Sequence, residues 1–160
     1  MHPRIELIPQ KKLVGHVMEM SLVNNKTFAL FSDFMPSIKE IKQAISPDIF
    51  EVMVYDHSYF KNFNPSRPFI KWAALEVSLP ETNIESMQPL TLDEGLYAVF
   101  QYQGLPNGFG MFMNAILTEW LPQSNYELDH RPHFNVLGDK YKNNDPDSEE
   151  DVYIPIKEKV

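Results

Sequence analysis

The stretch that decides the fold reads Trp-Leu-Pro-Gln-Ser-Asn-Tyr-Glu-Leu-Asp-His-Arg-Pro-His-Phe-Asn at residues 120–135, Val-Leu-Gly-Asp-Lys-Tyr at 136–141 and Asp-Val-Tyr-Ile-Pro-Ile at 151–156. The aromatic residue and the proline that follows closely after it indicate the end of a helix, because proline cannot continue the helical hydrogen bonds. A polar turn comes next, and two short runs rich in apolar and aromatic residues then predict strands. The chain therefore ends in the order helix, strand, strand.

Length and composition indicate one domain over residues 1–160. The chain has 160 residues, and the 43% that are hydrophobic can fill one core. No apolar run approaches the roughly 20 residues that span a bilayer, and no signal-like segment begins the chain. We therefore expect a soluble, cytoplasmic protein without a membrane partner. The absence of cysteine excludes a disulfide framework, a cysteine-ligated metal and a cysteine nucleophile.

The charge of the chain argues against direct binding of nucleic acid. The formal net charge is -8, and the basic residues are scattered along the sequence. Nucleic-acid binding needs Lys and Arg side chains that replace the counterions of the phosphates. An acidic field favours a cationic or amphipathic small molecule. The alternative is that the net charge serves solubility alone.

The first half of the chain predicts the order strand, helix, strand, strand. An extended lead-in at 5–8 precedes a strand at 13–22, and a helical spacing of aromatic residues covers 26–44. Pro36 should kink or interrupt this helix, and Ser46-Pro47-Asp48 should end it. Strands follow at 50–55 and 69–79, and the proline-containing segment 81–89 is interpreted as a crossover.

The second half repeats this order. A strand at 95–103 is followed by an apolar helical stripe from Phe109 to Trp120 and by strands at 131–137 and 152–156. Phe28-x-x-Phe31 corresponds to Phe109-x-x-Phe112 at a distance of about eighty residues, which indicates two fused copies of one module rather than a solenoid. We predict an α+β fold with copies at about 5–80 and 88–157, an antiparallel sheet, both helices on one face and a ligand groove on the other.

The alternation of residues along each strand assigns candidate ligand-binding residues to the face opposite the helices. On the strand at 69–79, Trp72 and Glu76 share this face. Phe50, Val52, Phe134 and Val136 are interpreted as core beneath the helices, which turns their neighbours to the opposite face. The candidates are Trp72, Glu76, Met53, Tyr55, Asn135 and Tyr153. Aromatic rings with polar groups are typical of small-molecule sites, although they also occur in an ordinary half-buried sheet.

Glu76 is the most distinctive of these candidates. Its carboxylate follows Trp72 and Ala74 on an apolar strand, so it has to be either wet or paired. A cation that stacks on Trp72 and is neutralised by Glu76 would satisfy both residues. An internal salt bridge or a position at the wet rim is the alternative.

The remaining motifs carry little chemistry. The acidic run at 145–151 lacks the glycine and the spacing of a calcium loop and is interpreted as a solvated loop. His130-x-x-His133 flanks a proline and has no third ligand at zinc spacing. No order of Ser, His and Asp suggests a catalytic triad. We therefore expect no metal, no cofactor and no catalytic residue.

Nearly the whole chain resembles the gyrase-inhibitor-like family, also called the AraC-type effector-binding domain. The resemblance is most specific at Glu119–Tyr126, Arg131–Phe134 and Glu150–Ile156, and the runs at 69–76 and 95–100 are similar to the inner strands of that family. It implies a duplicated strand-helix-strand-strand fold that binds small molecules, including multiple drugs, and takes part in transcription regulation. It also adds Tyr97, Trp120 and Tyr126 to the candidate ligand-binding residues.

One position departs from the family pattern. An acidic residue usually follows the aromatic residue of the Pro-x-Phe segment and contacts cationic ligands, whereas this chain has Asn135. Asn135 cannot exchange a proton near neutral pH, so we expect binding without catalysis, as a sensor or scavenger of amphipathic or aromatic ligands. Glu76 or Glu51 could supply the missing carboxylate. Two alternatives are a hydrolase of strained, cyclopropane-type electrophiles and a module that binds a protein partner, such as a regulator or gyrase.

Overall fold

Two copies of a strand-helix-strand-strand unit build one continuous sheet in the computed structural model, which describes residues 1–79 and 84–160. Each copy begins with a short lead-in strand. The first copy contains β1 (Arg4–Ile8), β2 (Lys11–Met20), α1 (Thr27–Phe34), β3 (Ala44–Val54) and β4 (Phe69–Val77). The second contains β5 (Gln88–Leu92), β6 (Gly95–Gln103), α2 (Phe109–Ala115), α3 (Leu121–Gln123), β7 (Tyr126–Leu128), β8 (His133–Leu137) and β9 (Glu149–Glu158).

The strands lie in the order β1-β6-β9-β8-β3-β4-β2-β5, and β7 pairs with the outer part of β9. All of these pairs are antiparallel. The two copies meet at β8 and β3, and their strands follow in mirrored order on either side. Each lead-in strand pairs with the other copy, since β1 lies beside β6 and β5 beside β2. The predicted α+β class and the antiparallel sheet with two helical segments are confirmed.

The first helix is shorter than the sequence indicates. The α-helical part ends at Phe34, and a 3-10 helix over Met35–Glu40 follows it. Pro36 stands near the start of this 3-10 helix, where its missing N–H costs nothing. Pro47 does not terminate the helix as expected but lies inside β3, where the register shifts between Ala44 and Ile49. A register shift is a place where a strand tolerates proline, because the ladder is already interrupted.

The second helical segment begins with a 3-10 turn at Pro106–Gly108 and continues through α2. A π-turn at Ile116–Trp120 then separates α2 from α3. The wider π-turn changes the direction in which the following residues point. Trp120 packs its ring edge-on against Phe100 of β6 at 5.2 Å between ring centroids. The aromatic stripe that the sequence predicts therefore faces the sheet.

Two strands were not predicted. Of the segment 81–89 that was interpreted as a crossover, residues 81–83 lie outside the described residues, and strand β5 begins at Gln88. The polar turn before β8 contains the three-residue strand β7. Within the two described ranges, no helix is both long enough and apolar enough to cross a membrane.

Both helical segments cover the same face of the sheet. Residues directly opposite each other in paired strands point to the same face, and they form one row: Ala73 in β4, Glu51 in β3, Asn135 in β8, Val152 in β9 and Phe100 in β6. Ala73 packs in the cluster around α1, whereas Val152 and Phe100 pack in the cluster around α2. We call this the helix-bearing face.

The other face, here called the inner face, is buried by the curl of the sheet. Its apolar residues form one cluster that includes Ile8 from one edge strand and Leu90 and Leu92 from the other. Residues at opposite edges can share a cluster only if the sheet bends around them. Phe134 lies at the centre and is 1% exposed. Its ring stacks on Tyr153 at 4.4 Å and contacts Phe50 at 5.6 Å.

We expect Phe134→Ala to lower the free energy of unfolding by about 3–5 kcal/mol, because it leaves a cavity in the inner cluster. Urea denaturation measures this change. Phe28→Ala is the matched control, since Phe28 is 87% exposed on α1 and its loss should change stability by about 0.5 kcal/mol or less. Equal effects of the two substitutions would show that the inner face is not a packed core.

Candidate functional site

Charged and amide side chains collect where the two copies meet on the helix-bearing face. The strands β3 and β8 lie between the strands that carry the two helical segments. Glu51 of β3 lies directly opposite Asn135 of β8, Lys71 comes from β4 and Glu150 from β9. We call these residues the polar seam: Glu51, Lys71, Asn135 and Glu150.

Three hydrogen bonds organise one half of the polar seam. The Lys71 ammonium donates to Thr27 Oγ1 at 2.9 Å and to Glu51 Oε2 at 3.1 Å. The amide Nδ2 of Asn135 donates to the other carboxylate oxygen, Glu51 Oε1, at 3.0 Å. Both oxygens of Glu51 are therefore occupied. The Lys71 and Glu51 side chains are 12% and 15% exposed, so this ion pair is largely withdrawn from solvent and weakly screened.

Glu150 is the unpaired member of the polar seam. Within the described part of the chain, no hydrogen bond or ion pair reaches its carboxylate. The pKa of Glu150 is raised to about 7. Burial is the largest cause and the negative charge of Glu51 adds to it, whereas the positive charge of Lys71 lowers the pKa. A carboxyl group with this pKa carries both protonation states near neutral pH. It can therefore accept a cation or exchange a proton.

Two buried polar atoms of β8 also lack partners among the residues that the structure describes: Asn135 Oδ1 and His133 Nδ1. The orientation of the Asn135 amide follows from its neighbour, because the Glu51 carboxylate can only accept a hydrogen bond when it is ionised. His133 packs edge-on against Tyr55, with ring centroids 5.0 Å apart. Burial, followed by the charge of Arg131, lowers the pKa of His133 to about 3. The imidazole is therefore neutral.

A cleft of about 230 Å³ lies beside Glu150, but three strand residues of its lining, Gln101, Val136 and Asp151, belong to the inner face of the sheet. Acidic side chains dominate its lining, which consists of Asp48, Gln101, Val136, Gly138, Asp139, Lys140, Glu149, Glu150 and Asp151. This volume is smaller than the roughly 300 Å³ at which small-molecule pockets begin, so it suits a head group rather than a whole drug-sized ligand. In the described ranges, no three His, Asp or Glu side chains are placed so that they could hold a metal ion.

The structure divides the predicted ligand-binding residues between the two faces. Trp72, Tyr97 and Tyr153 belong to the inner cluster, and the hydroxyl of Tyr97 donates to the carbonyl of Pro132 at 2.9 Å. Met53 and Tyr55 pack on the helix-bearing face with the α1 cluster. Asn135 lies on that face as well.

The assignment of Met53, Tyr55 and Asn135 to the face of Trp72 was therefore wrong. It rested on the interpretation that Phe50, Val52, Phe134 and Val136 face the helices. These residues belong to the inner cluster instead. Because the sheet curls, its inner face is as apolar as the face beneath the helices, and apolarity alone does not tell the two apart.

The other candidates lie outside the polar seam. Trp120 and Tyr126 pack around α2, with nearly parallel rings whose centroids are 6.5 Å apart. Glu76 is bound by Lys11 at 3.5 Å on the inner face. The internal salt bridge that was the alternative for Glu76 is thus what the structure shows.

Sequence reasoning gave incomplete weight to Glu51 and missed Lys71 and Glu150. Lys71 was correctly placed on the helix-bearing face, but no partner was assigned to it. Glu150 lay within an acidic run that was interpreted as solvated. A usable signal was present, since Glu51 and Lys71 are charges on otherwise apolar strands and such charges need each other. The argument that the site cannot exchange a proton holds for Asn135 alone, because Glu51 and Glu150 are carboxyl groups on the same face of the sheet.

The sequence profile described as GyrI-like small molecule binding domain matches residues 1–157. SAV2435 bound to tetraphenylphosphonium is similar with a TM-score of 0.73 and 14% identity, over 98% of this chain and 94% of that chain. The EcmrR C-terminal domain follows with a TM-score of 0.70 and 10% identity, over 99% and 98%.

A third similar structure is a hydrolase from Listeria innocua, with a TM-score of 0.60 and 10% identity, over 98% of this chain and 92% of that chain. Curated protein sequences give no match. At these identities, the similar structures establish a common fold and leave the chemistry of each site to its own residues.

We expect His133→Phe to make the protein more resistant to acid. The folded-state pKa of His133, about 3, lies below the ordinary value of 6.5, so the unfolded chain binds the extra proton and stability falls as the pH drops below 6.5. Phenylalanine removes this loss, so at pH 5 the variant should gain about 2 kcal/mol over the natural chain relative to pH 7.5.

Urea denaturation at both pH values measures the difference. His2→Gln, which replaces an exposed histidine, should leave the pH dependence of the natural chain unchanged. Parallel pH profiles for His133→Phe and the natural protein would mean that the imidazole is accessible to protons in the folded state.

Proposed function

Because the chain belongs to the family of GyrI-like small molecule binding domains, we propose that its ligand site is the polar seam and that the ligand is amphipathic with a cationic group. The observation that carries this proposal is the unpaired, partly buried carboxylate of Glu150. A buried carboxylate without a partner is costly, and a cation from outside would offset that cost.

The surroundings of Glu150 support a ligand with aromatic or other apolar groups. Tyr141 lies close to Glu150 and Glu51. Burial is the largest cause that raises the pKa of its hydroxyl, and the charges of these two carboxylates raise the pKa as well. Its ring is 36% exposed, so it can stack on a ligand cation. The unpaired oxygen Asn135 Oδ1 offers an acceptor to a ligand N–H or O–H group. One acidic residue, one acceptor and one aromatic ring define a site for a polar head group attached to an apolar body.

The biological role that we propose is that of a sensor or scavenger. The structure of SAV2435 has the hydrophobic cation tetraphenylphosphonium bound. EcmrR has a structure in complex with DNA, and this chain covers 58% of the EcmrR chain in it. These facts concern those proteins. They motivate a search for organic cations as ligands of this chain and for a transcriptional consequence of binding.

We expect tetraphenylphosphonium to bind the natural chain and to bind Glu150→Gln about tenfold more weakly at pH 8, because the loss of the Coulombic attraction between the cation and a partly buried carboxylate costs on the order of 1.4 kcal/mol. Isothermal titration calorimetry measures both affinities. Glu76→Gln is the matched control on the inner face, and its affinity should equal that of the natural chain.

The opposite result would place the ligand site on the other face of the sheet. If Glu76→Gln weakened binding and Glu150→Gln did not, the ligand would lie on the inner face beside Trp72, as the alternation of the strands suggested. If Trp72→Ala also reduced the affinity in a variant whose fold is intact by circular dichroism, that placement would be secure.

A second candidate function is hydrolysis, which one observation favours: the pKa of Glu150 suits a general acid or base near neutral pH. Against it stands the state of Glu51, whose two oxygens are occupied by Lys71 and Asn135. Only one carboxyl group is then free to move protons, whereas opening a strained ring calls for protonation of the leaving group as well as activation of a nucleophile.

We therefore expect the natural chain to turn over a cyclopropane-bearing electrophile no faster than buffer does, measured by loss of substrate in chromatography. Glu150→Gln is the necessary comparison. Turnover by the natural chain that Glu150→Gln abolishes, while both proteins still bind the substrate, would establish the hydrolase and make Glu150 its acid–base group.

A further inference from the structure

We infer that two molecules of this chain associate through the outer edge of β1. In this dimer, β1 pairs antiparallel with β1 of the second molecule, across a two-fold axis that passes beside Ile5. The inference concerns an interaction surface at one end of the sheet, and it does not depend on the ligand site proposed above.

The outer edge of β1 is open. Strand β1 stands at one end of the sheet, and β6 is its only partner strand in the two described ranges. The backbone N–H and C=O groups that point away from β6 are therefore available to a further strand. A row of such groups is a ready template for pairing with another chain.

The opposite edge of the sheet, formed by β5, is protected by its sequence. Pro89 lies inside β5 and has no N–H group to offer a further strand. In β1, by contrast, prolines occur only outside the strand, at Pro3 and Pro9. Strand β1 also lacks lysine, which natural proteins often place on an open edge to prevent pairing. The sequence thus blocks one edge of the sheet and leaves the other open.

Two apolar side chains of β1 are exposed on the helix-bearing face. Ile5 lies opposite Ala98 and Leu7 opposite Leu96, and these residues of β6 pack in the cluster around α2. Ile5 is nevertheless 39% exposed and Leu7 65% exposed, because no described strand lies on their other side. A partner strand would bury both side chains, and the removal of apolar surface from water favours association.

The charges of β1 select one register for the pairing. With the axis beside Ile5, Arg4 lies opposite Glu6 of the partner subunit, and Glu6 lies opposite the partner's Arg4. Unlike charges that face each other across an antiparallel pair stabilise it. An axis beside Arg4 or beside Glu6 would instead place two like charges directly opposite each other, which is unfavourable. The sequence of β1 is therefore complementary to itself.

Arg4 and Glu6 are free to make these contacts. Within one strand, Arg4 Nε donates to Glu6 Oε1 at 3.2 Å, and the two side chains are 57% and 40% exposed. An ion pair this exposed contributes little to stability, so its exchange for a pair across the interface costs little. The Nη groups of Arg4 make no hydrogen bond within the part of the chain that the structure describes. They remain available to a carboxylate of the second molecule.

The association should depend on protein concentration. Two five-residue strands form an interface below the standard size, so we expect a weak dimer with a Kd on the order of 10–100 µM. Sedimentation equilibrium of the natural chain, with any tag at the carboxyl end, should show the mean mass rising from 18.6 kDa towards twice that value. Amide hydrogen exchange in β1 should slow over the same range of concentration, as its outward N–H groups become bonded.

Two lysine substitutions locate the interface. Leu7→Lys should weaken the association about tenfold or more, because it introduces a charge where an apolar side chain would be buried. Val23→Lys is the matched control, since Val23 is also 65% exposed but lies in the turn between β2 and α1. Its Kd should equal that of the natural chain. A dimer that Val23→Lys abolishes and Leu7→Lys preserves would overturn the assignment to β1.

Charge substitutions test the register. In Arg4→Glu and in Glu6→Arg, each molecule carries two like charges in β1, so the dimer of either variant should be about tenfold weaker. An equimolar mixture of the two variants should associate again, because the acidic edge of one molecule then meets the basic edge of the other. Neither side chain is buried, so both variants should keep the natural fold, which circular dichroism checks.

The remaining outcomes decide against the inference. A natural chain that keeps the mass of one molecule up to about 500 µM would exclude the dimer. A mixture of Arg4→Glu and Glu6→Arg that associates no better than either variant alone would exclude the antiparallel register beside Ile5. If Leu7→Lys fails to fold, this mixture still provides the test, because its two substitutions lie at exposed side chains.

Discussion

Trp72, Val52, Phe134 and Tyr153 face one another across the sheet on the side that the helical segments leave open, and they are buried because the sheet curls around them. This burial limits where charged side chains can lie in the sheet. An apolar inner face cannot hold an unpaired charge without a large cost. Charged groups of the inner strands therefore either have a partner on the inner face, as Glu76 has in Lys11, or point to the helix-bearing face, as Glu51 and Lys71 do.

The polar seam follows from that constraint. β3 and β8 meet at the junction of the two copies, and neither lies beneath the centre of a helical segment. Glu51 and Lys71 pair with each other there, and Asn135 completes the bonding of Glu51. A removed partner would leave a largely buried charge, so these residues hold one another in place more firmly than a surface ion pair would. Glu150 is the one carboxyl group of the seam that this network leaves out.

Much of the fold could be predicted from local sequence, whereas the site could not. The strand at Gly95–Gln103 and the aromatic stripe of the second helix came directly from periodicity. The alternation in β4 and β9 also gave the right faces. In β3 and β8 it did not, because both faces of the curled sheet are largely apolar. The alternation of these strands therefore does not show which face lies beneath the helices. The sequence did not single out Glu150, because a run of acidic residues has the same pattern whether its side chains are solvated or buried.

The exchange of lead-in strands has a consequence for how the chain folds. Arg4 pairs with Val99, and Lys11 pairs with Leu92, so each copy needs the other to complete its edge. The last pairings join residues that are far apart along the chain, and such non-local topologies fold in milliseconds to seconds rather than microseconds. During synthesis, β1 is made well before β6 and has no strand to pair with until β6 has left the ribosome. Strand β1 is therefore placed in the sheet later than its position in the sequence suggests.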